Sequence, residues 1–333
     1  MILTKPSILG TISPAATGAG STITLSGAAN AVILADSSGN YSFGQLNAGS
    51  YTVTPSNPSA TFSPTSLNVV VADSDVTGVN FTATATGALL FFDDFNGTAL
   101  SSDWTVISRH GEYAQNETEC NTPQQVAVTN GELVITTAVG PATCGDFFPD
   151  GSVRTQPTSW PYVTGDVQWT SLNFKYGTVT IRGKFPSYAT GTWPAFWLLG
   201  ANCQTTNPFS GDLGFGGCPL ISQTGYIEAD LVECFGGASG WCQFHVANPG
   251  FGVGNGCDVD YPVDTNWHTF TTVWTASSIS QYMDGVLQTT CHQNLNGPMF
   301  LIIQTQTGGG GGTPNNSLLP ARLEVDYVKV TQP

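Results

Sequence analysis

The apolar residues of this chain recur in short runs from one end to the other, and no stretch repeats with a helical period. Strand side chains alternate faces with a period of two, whereas a helix repeats every 3.6 residues. Before Gly87 the runs fall at 7–12, 22–26, 31–35, 41–43, 51–54, 67–71 and 76–83. Turn signals such as Asp36-Ser-Ser-Gly-Asn40 and Leu46-Asn-Ala-Gly49 separate them. Further runs fall at 126–128, 132–136, 177–185, 268–274, 278–283 and 322–331, with a hairpin expected at Asp284-Gly285. The pattern predicts an all-β chain. A small N-terminal β-sandwich would occupy residues 1–86, and a larger two-sheet sandwich or jelly roll residues 87–333. Thr82-Ala-Thr-Ala-Thr-Gly87 reads as a linker of small residues. All eight Trp and all eight Cys follow it.

Charge narrows the partners. Twenty-three acids face eight Lys and Arg, a net charge of -15. Nucleic-acid binding draws on clustered cations and is excluded. Anionic membrane surfaces and strongly acidic polysaccharides are disfavoured on the same ground, which leaves a neutral polymer. The even cysteine count predicts disulfides and an extracellular, secreted protein. Short loops favour Cys203–Cys218 and Cys234–Cys242, leaving Cys120–Cys144 and Cys257–Cys291. Met1-Ile-Leu-Thr-Lys-Pro6 lacks the apolar core and cleavage site of a signal peptide, so a form with its export signal removed is expected. No apolar run has the length of a membrane span. A monomer is expected.

Within this charge-poor chain, three carboxylates stand within six residues, at Glu228-Ala-Asp230-Leu-Val-Glu233. Strand alternation puts Glu228 and Asp230 on one face and Glu233 on the other. One extra residue in a β-bulge would return Glu233 to the shared face. Clustered carboxylates repel, so at least one keeps its proton to higher pH. One proton donor beside one ionised carboxylate is what glycoside hydrolysis requires. The alternative is a structural carboxylate cluster on an inactive, lectin-like sandwich.

Gly225-Tyr-Ile-Glu228-Ala-Asp230-Leu-Val-Glu233 resembles the E-x-D-x-x-E active-site strand of glycoside hydrolase family 16. Four further segments match in order: Phe174-Lys-Tyr-Gly177 through Arg182-Gly-Lys-Phe-Pro186; Thr192-Trp-Pro-Ala-Phe-Trp-Leu198; Trp267-His-Thr-Phe270 with Asp284-Gly285; and Val325-Asp-Tyr-Val-Lys-Val330. The resemblance covers residues 89–331 and implies a concanavalin-A-like jelly roll of the laminarinase type. It implies retention, with Glu228 as nucleophile, Glu233 as acid/base and Asp230 tuning both. It implies a substrate cleft bordered by Trp193, Trp197, Arg182, Asn116, His245 and Gln304, with core packing the alternative for Trp197, a buried carboxylate partner the alternative for Arg182 and a structural role the alternative for His245. Catalysis needs no cofactor in this family. A structural Ca²⁺ would sit between Asp94, the carbonyl near Gly131 and Asp326, oxygen donors that suit a hard cation. The expected substrate is a neutral β-glucan, β-1,3-linked or mixed β-1,3/1,4. A galactan-cleaving relative, a transglycosylase, a glycan-binding lectin and a spacer protein are the other readings.

Some positions depart from the family pattern. Ala229 replaces a larger aliphatic residue, Gln304 stands where Asn is usual, and no aromatic follows His245. Gly308–Gly312 reads as a flexible loop near the cleft. In the first half, Asp36-x-x-Gly39-Asn-Tyr41-x-Phe43-x-x-Leu46-x-x-Gly49-x-Tyr51 resembles carboxypeptidase-regulatory-like and Cna-B-like, Ig-like modules. That resemblance implies a spacer or stabilising module, with Tyr41, Phe43, Tyr51, Phe62 and Phe81 as core; sugar binding is the alternative.

Overall fold

The computed structural model describes residues 5–57, 59–111, 116–144, 158–204, 225–237, 239–247, 257–293 and 295–332. Strands β1 to β8 run, in order, over Ile8–Ser13, Thr22–Gly27, Ala31–Leu34, Asn40–Phe43, Gly49–Ser56, Ala60–Ser63, Leu67–Val71 and Phe81–Ala85. They form two four-stranded sheets, ordered β4-β1-β8-β6 and β3-β2-β5-β7. Alternation drives the packing. On β5, Tyr51 and Val53 are buried while Ser50 and Thr54 face out. A helical turn, α1 (Ala15–Gly18), and strand β6 were not legible in the sequence.

The predicted linker needs correction. Thr82–Ala85 belong to β8, which pairs with both β1 and β6. Phe81 and Ala83 fill the core while Thr82 and Thr84 face out. Threonine is a strand former, so small residues here mark a strand rather than a joint. Only residues 86–88 connect β8 to the next strand.

Strands β9 to β17 follow over Leu89–Asp93, Trp104–Val106, Glu119–Asn121, Val126–Thr129, Glu132–Cys144, Thr158–Thr164, Asp166–Trp169, Gly177–Lys184 and Thr192–Gly200. Strands β18 to β25 occupy Glu228–Phe235, Trp241–Ala247, Val259–Tyr261, Trp267–Trp274, Ile279–Met283, Val286–Cys291, Met299–Thr307 and Ala321–Thr331. An inner sheet has the order β10-β15-β24-β17-β18-β19-β20. The outer, ten-stranded sheet runs β11-β14-β13-β25-β16-β21-β22-β23, with β12 on β13 and β9 on β25. Between the sheets lies one apolar core that includes Phe196, Leu198, Leu231, Phe244, Phe270 and Trp274. Removing one such ring costs about 3–5 kcal/mol. The expected hairpin joins β22 to β23 at Asp284 (φ 51°) and Gly285 (φ 77°), the left-handed pair a two-residue turn needs.

Cys120–Cys144, Cys234–Cys242 and Cys257–Cys291 are bonded as expected. Cys218, the expected partner of Cys203, lies outside the described residues. Among those residues no helix is long and apolar enough to cross a membrane.

Candidate active site

The acid triplet sits on β18, in the interior of the inner sheet. Ala229 and Leu231 point into the core, so Glu228 and Asp230 project from the opposite face. The register with β19 shifts after Asp230: Asp230 pairs with His245, whereas Glu233 pairs with Gln243. Three steps on β18 thus match two on β19, which is the expected bulge. Leu231 and Val232 are both buried in the core, and Glu233 returns to the face of the other two acids.

Each acid has a distinct surrounding. Tyr226, two residues before Glu228 and fully buried, donates its hydroxyl to Glu228 Oε2. Glu233 accepts from Trp193 Nε1 through Oε1 and from Gln243 Nε2 through Oε2, each at 2.8 Å. Burial raises Asp230 well above the usual carboxylate range, and the charges of Glu228, Glu233 and Asp258 raise it further. Burial also raises Glu233, against the pull of its two donors. His245 Nδ1 lies 2.5 Å from Asp258 Oδ1. Asp258 follows Cys257, whose disulfide to Cys291 fixes it. Donor atoms of Glu228, Asp230 and His245 lie within 4.8 Å of one another, so one small group can touch all three.

The other expected residues divide. Trp193 is buried, holds Glu233, and tilts against Phe235 at 5.4 Å between ring centroids. Phe235 in turn packs on Trp241 at 4.5 Å, and Trp241 is 40% exposed. Among the described residues of this row the open aromatic face is that of Trp241, a residue with no signal in the sequence. Trp197 is not a platform: it is buried among Tyr226, Ala247, Phe300 and Ile302 beneath the same face. Gln304 shares that face by alternation with Ile302, and is buried. Gln306, one alternation further, donates to Glu117 Oε1 at 2.6 Å. The Asn116 carbonyl accepts from Gly309 N at 3.1 Å, which ties the Asn116-Glu117 segment to the glycine run.

That run is not a free loop. Gly308 bridges to both Glu117 and Gly312. A Cβ at Gly310 would stand 2.6 Å from the Phe235 ring, and one at Gly311 would stand 2.9 Å from Trp193 Cβ. Glycine is needed there because the backbone lies directly against the two aromatic rings.

Arg182 is a second correction. It lies on β16, in the outer sheet, away from the acids. Its Nη1 binds Asp326 Oδ2 at 2.7 Å, and its guanidinium sits 4.8 Å from the Trp267 ring centroid. The residues expected to hold calcium have protein partners. Asp326 is the counter-ion of Arg182, while both Asp94 oxygens accept from Asn96, at 3.4 and 2.7 Å. Gly131 adjoins that turn, its would-be Cβ 3.1 Å from Asn96 Oδ1.

Tyr226 and Gln243 carried a signal that could have been followed. Tyr226 precedes Glu228 by one alternation, and Gln243 precedes His245 by one. Asp258 had none, because a disulfide and a separate strand bring it in.

No family model matches the chain. It is 29% identical over 276 residues to glucan endo-1,3-β-glucosidase A1 of Niallia circulans, covering 73% of this chain and 37% of that protein. With a glucan endo-1,3-β-glucosidase of Cryptopygus antarcticus it is 27% identical over 282 residues, covering 75% of this chain and 94% of that one. This chain thus spans little over a third of the Niallia protein and nearly all of the Cryptopygus one. Among solved structures, the laminarinase catalytic domain of Thermotoga maritima superposes with a TM-score of 0.59 at 22% identity, over 74% of this chain and 98% of that one. SCLam, a non-specific endo-β-1,3(4)-glucanase of glycoside hydrolase family 16, gives 0.57 at 22%, over 73% and 90%. The structures show the fold: the larger part of this chain is a jelly roll of the laminarinase type. In sequence and fold the resemblance to glycoside hydrolase family 16 holds.

Proposed function

We propose that residues 87–333 form a secreted, retaining endo-glycoside hydrolase that cuts a β-1,3-glucan or a mixed β-1,3/1,4-glucan. One observation carries the reading: the bulge that sets Glu228, Asp230 and Glu233 on one face, with Glu233 raised and held between Trp193 and Gln243. The proteins it resembles in sequence include endo-1,3-β-glucosidases, which supports a glucan.

The chemistry divides by surrounding. Protonated Glu233 gives its proton to the glycosidic oxygen as the bond to the anomeric carbon breaks. Glu228 attacks that carbon and forms a covalent glycosyl-enzyme. Glu233, now ionised, takes a proton from water, and the hydroxide displaces Glu228. Asp230 keeps its proton between them and so limits charge repulsion. The Tyr226 hydroxyl holds one oxygen of Glu228 in place beside the anomeric carbon it attacks. Trp241, tilted against Phe235, offers the sugar an apolar ring face.

Secretion is supported by the disulfides, and a monomer is the expected state. The test is incubation with laminarin, lichenan, agarose and carrageenan, followed by product sizing. Rapid shortening of laminarin, with or without lichenan, is expected. Shortening of agarose or carrageenan alone would reassign the polymer, and shortening of none would defeat the hydrolase reading.

A further inference from the structure

We propose that the N-terminal sandwich is a brace fastened to the outer sheet, whose presence stabilises the jelly roll, and that it is not a sugar-binding module. The first observation is Lys329, near the end of β25 on the outward face, yet only 2% exposed. Its ammonium donates to the carbonyls of Thr17 (3.2 Å) and Ala19 (3.0 Å), at the C-terminal end of α1. The last carbonyls of a helical turn lack partners of their own and carry partial negative charge. The sandwich therefore supplies acceptors for a lysine of the jelly roll. Burial lowers that ammonium to about 8, so only a closely fitted partner keeps it there.

Two glycines mark the closeness of the fit. Gly20, in the sandwich, adopts φ +71°, and a Cβ there would stand 2.2 Å from the hydroxyl of Tyr327 on β25. The same Cβ would lie 3.4 Å from Thr180 on β16 and from Thr269 on β21. Tyr327, Thr180 and Thr269 are all buried. Gly285, at the β22–β23 turn, comes so near β2 that its Cβ would meet Thr22 Oγ1 at 2.5 Å. The contact thus crosses β25, β16, β21 and the hairpin. At its margin a crevice of about 390 Å³ holds Arg182, Trp267 and Asp284 against Ile33, Leu34 and Asp36.

Among its described residues the sandwich has no aromatic face to offer a sugar. Tyr41, Phe43, Tyr51 and Phe81 are core residues, at most 5% exposed, and Phe62 packs against the same core.

Tryptophan fluorescence reads the jelly roll alone, because every Trp follows residue 87. Gly20→Ala and Gly78→Ala impose the same left-handed strain, at φ +71° and +76°, but a Cβ at Gly78 meets nothing within 4 Å. In the full chain, the brace predicts that Gly20→Ala lowers the fluorescence-monitored Tm by about 5 °C and Gly78→Ala by much less. Lys329→Glu, which sets a carboxylate against two carbonyls, should lower it as Gly20→Ala does. Affinity for insoluble β-1,3-glucan, measured in a Glu228→Gln background, should not change in any of them. Equal midpoints for the two glycine variants, with Lys329→Glu at the wild-type value, would overturn the brace. So would loss of glucan affinity at an unchanged midpoint. The fluorescence midpoints use neither glucan nor turnover, so they stand apart from the hydrolase reading, and only the affinity arm rests on it.

Discussion

Glu233 accepts two hydrogen bonds that favour its ionised form, yet burial still lifts it above its ordinary range. Trp193 supplies one of those bonds, so Trp193→Phe should raise Glu233 further. Turnover needs Glu233 protonated at the start, so the alkaline limb of the kcat/KM profile should move to higher pH. The maximum should fall about tenfold as the carboxyl loses its positioning. An unmoved limb would remove Glu233 from the acid role. Asp230 makes a second, opposite claim on stability. Its folded-state value is raised, so the folded protein holds a proton that the unfolded chain releases. Its contribution is fully present below the unfolded value, near 4, and is lost as pH rises through the folded one. Asp230→Asn should therefore match the wild-type Tm at about pH 4 and exceed it by a few degrees at pH 8. A melting series across that range checks the sign.

At the scale of elements, the site is a bulged strand packed beside a glycine turn and pinned by disulfides. Gly310 shows how tight this is, since a methyl there meets Phe235 and, at 3.3 Å, Trp193. Gly310→Ala should destabilise by about 1–3 kcal/mol and lower kcat with little change in KM, because Trp193 holds Glu233. Denaturation and initial-rate measurements on the same variant separate the two effects. The triplet and its bulge were legible because they depend on local alternation, and a parity mismatch within six residues is itself a signal. Pairing is not local. Nothing near Arg182 says that β16 belongs to the outer sheet, so sequence alone groups this cation with the cleft motif. The glycine run is illegible for the same reason: its glycines answer Trp193 and Phe235, over seventy residues away in the chain. Trp197 failed differently, since alternation names its face but not its depth.

Across the whole molecule, two sandwiches share one boundary, and the carboxylates that the sequence resemblance assigns to calcium have protein partners. Asp326 answers Arg182, and Lys184 answers Glu324 at 2.7 Å on the neighbouring step of β16 and β25. Dialysis against EDTA should therefore leave the Tm of the full chain unchanged; a fall restored by Ca²⁺ would return Asp94, Gly131 and Asp326 to a metal. Fold class and sheet content followed from alternating runs, whereas the seam between the halves rests on Lys329 meeting two carbonyls about 310 residues earlier, a distance no local pattern spans. The central claim is that this bulged triplet breaks a β-linked glucan with retention. Proton NMR of the reducing-end anomeric signal in the first minutes of laminarin digestion tests it directly. The account predicts shortened chains whose new ends appear first as the β-anomer and then mutarotate; new ends appearing first as the α-anomer, or no new ends at all, would contradict it.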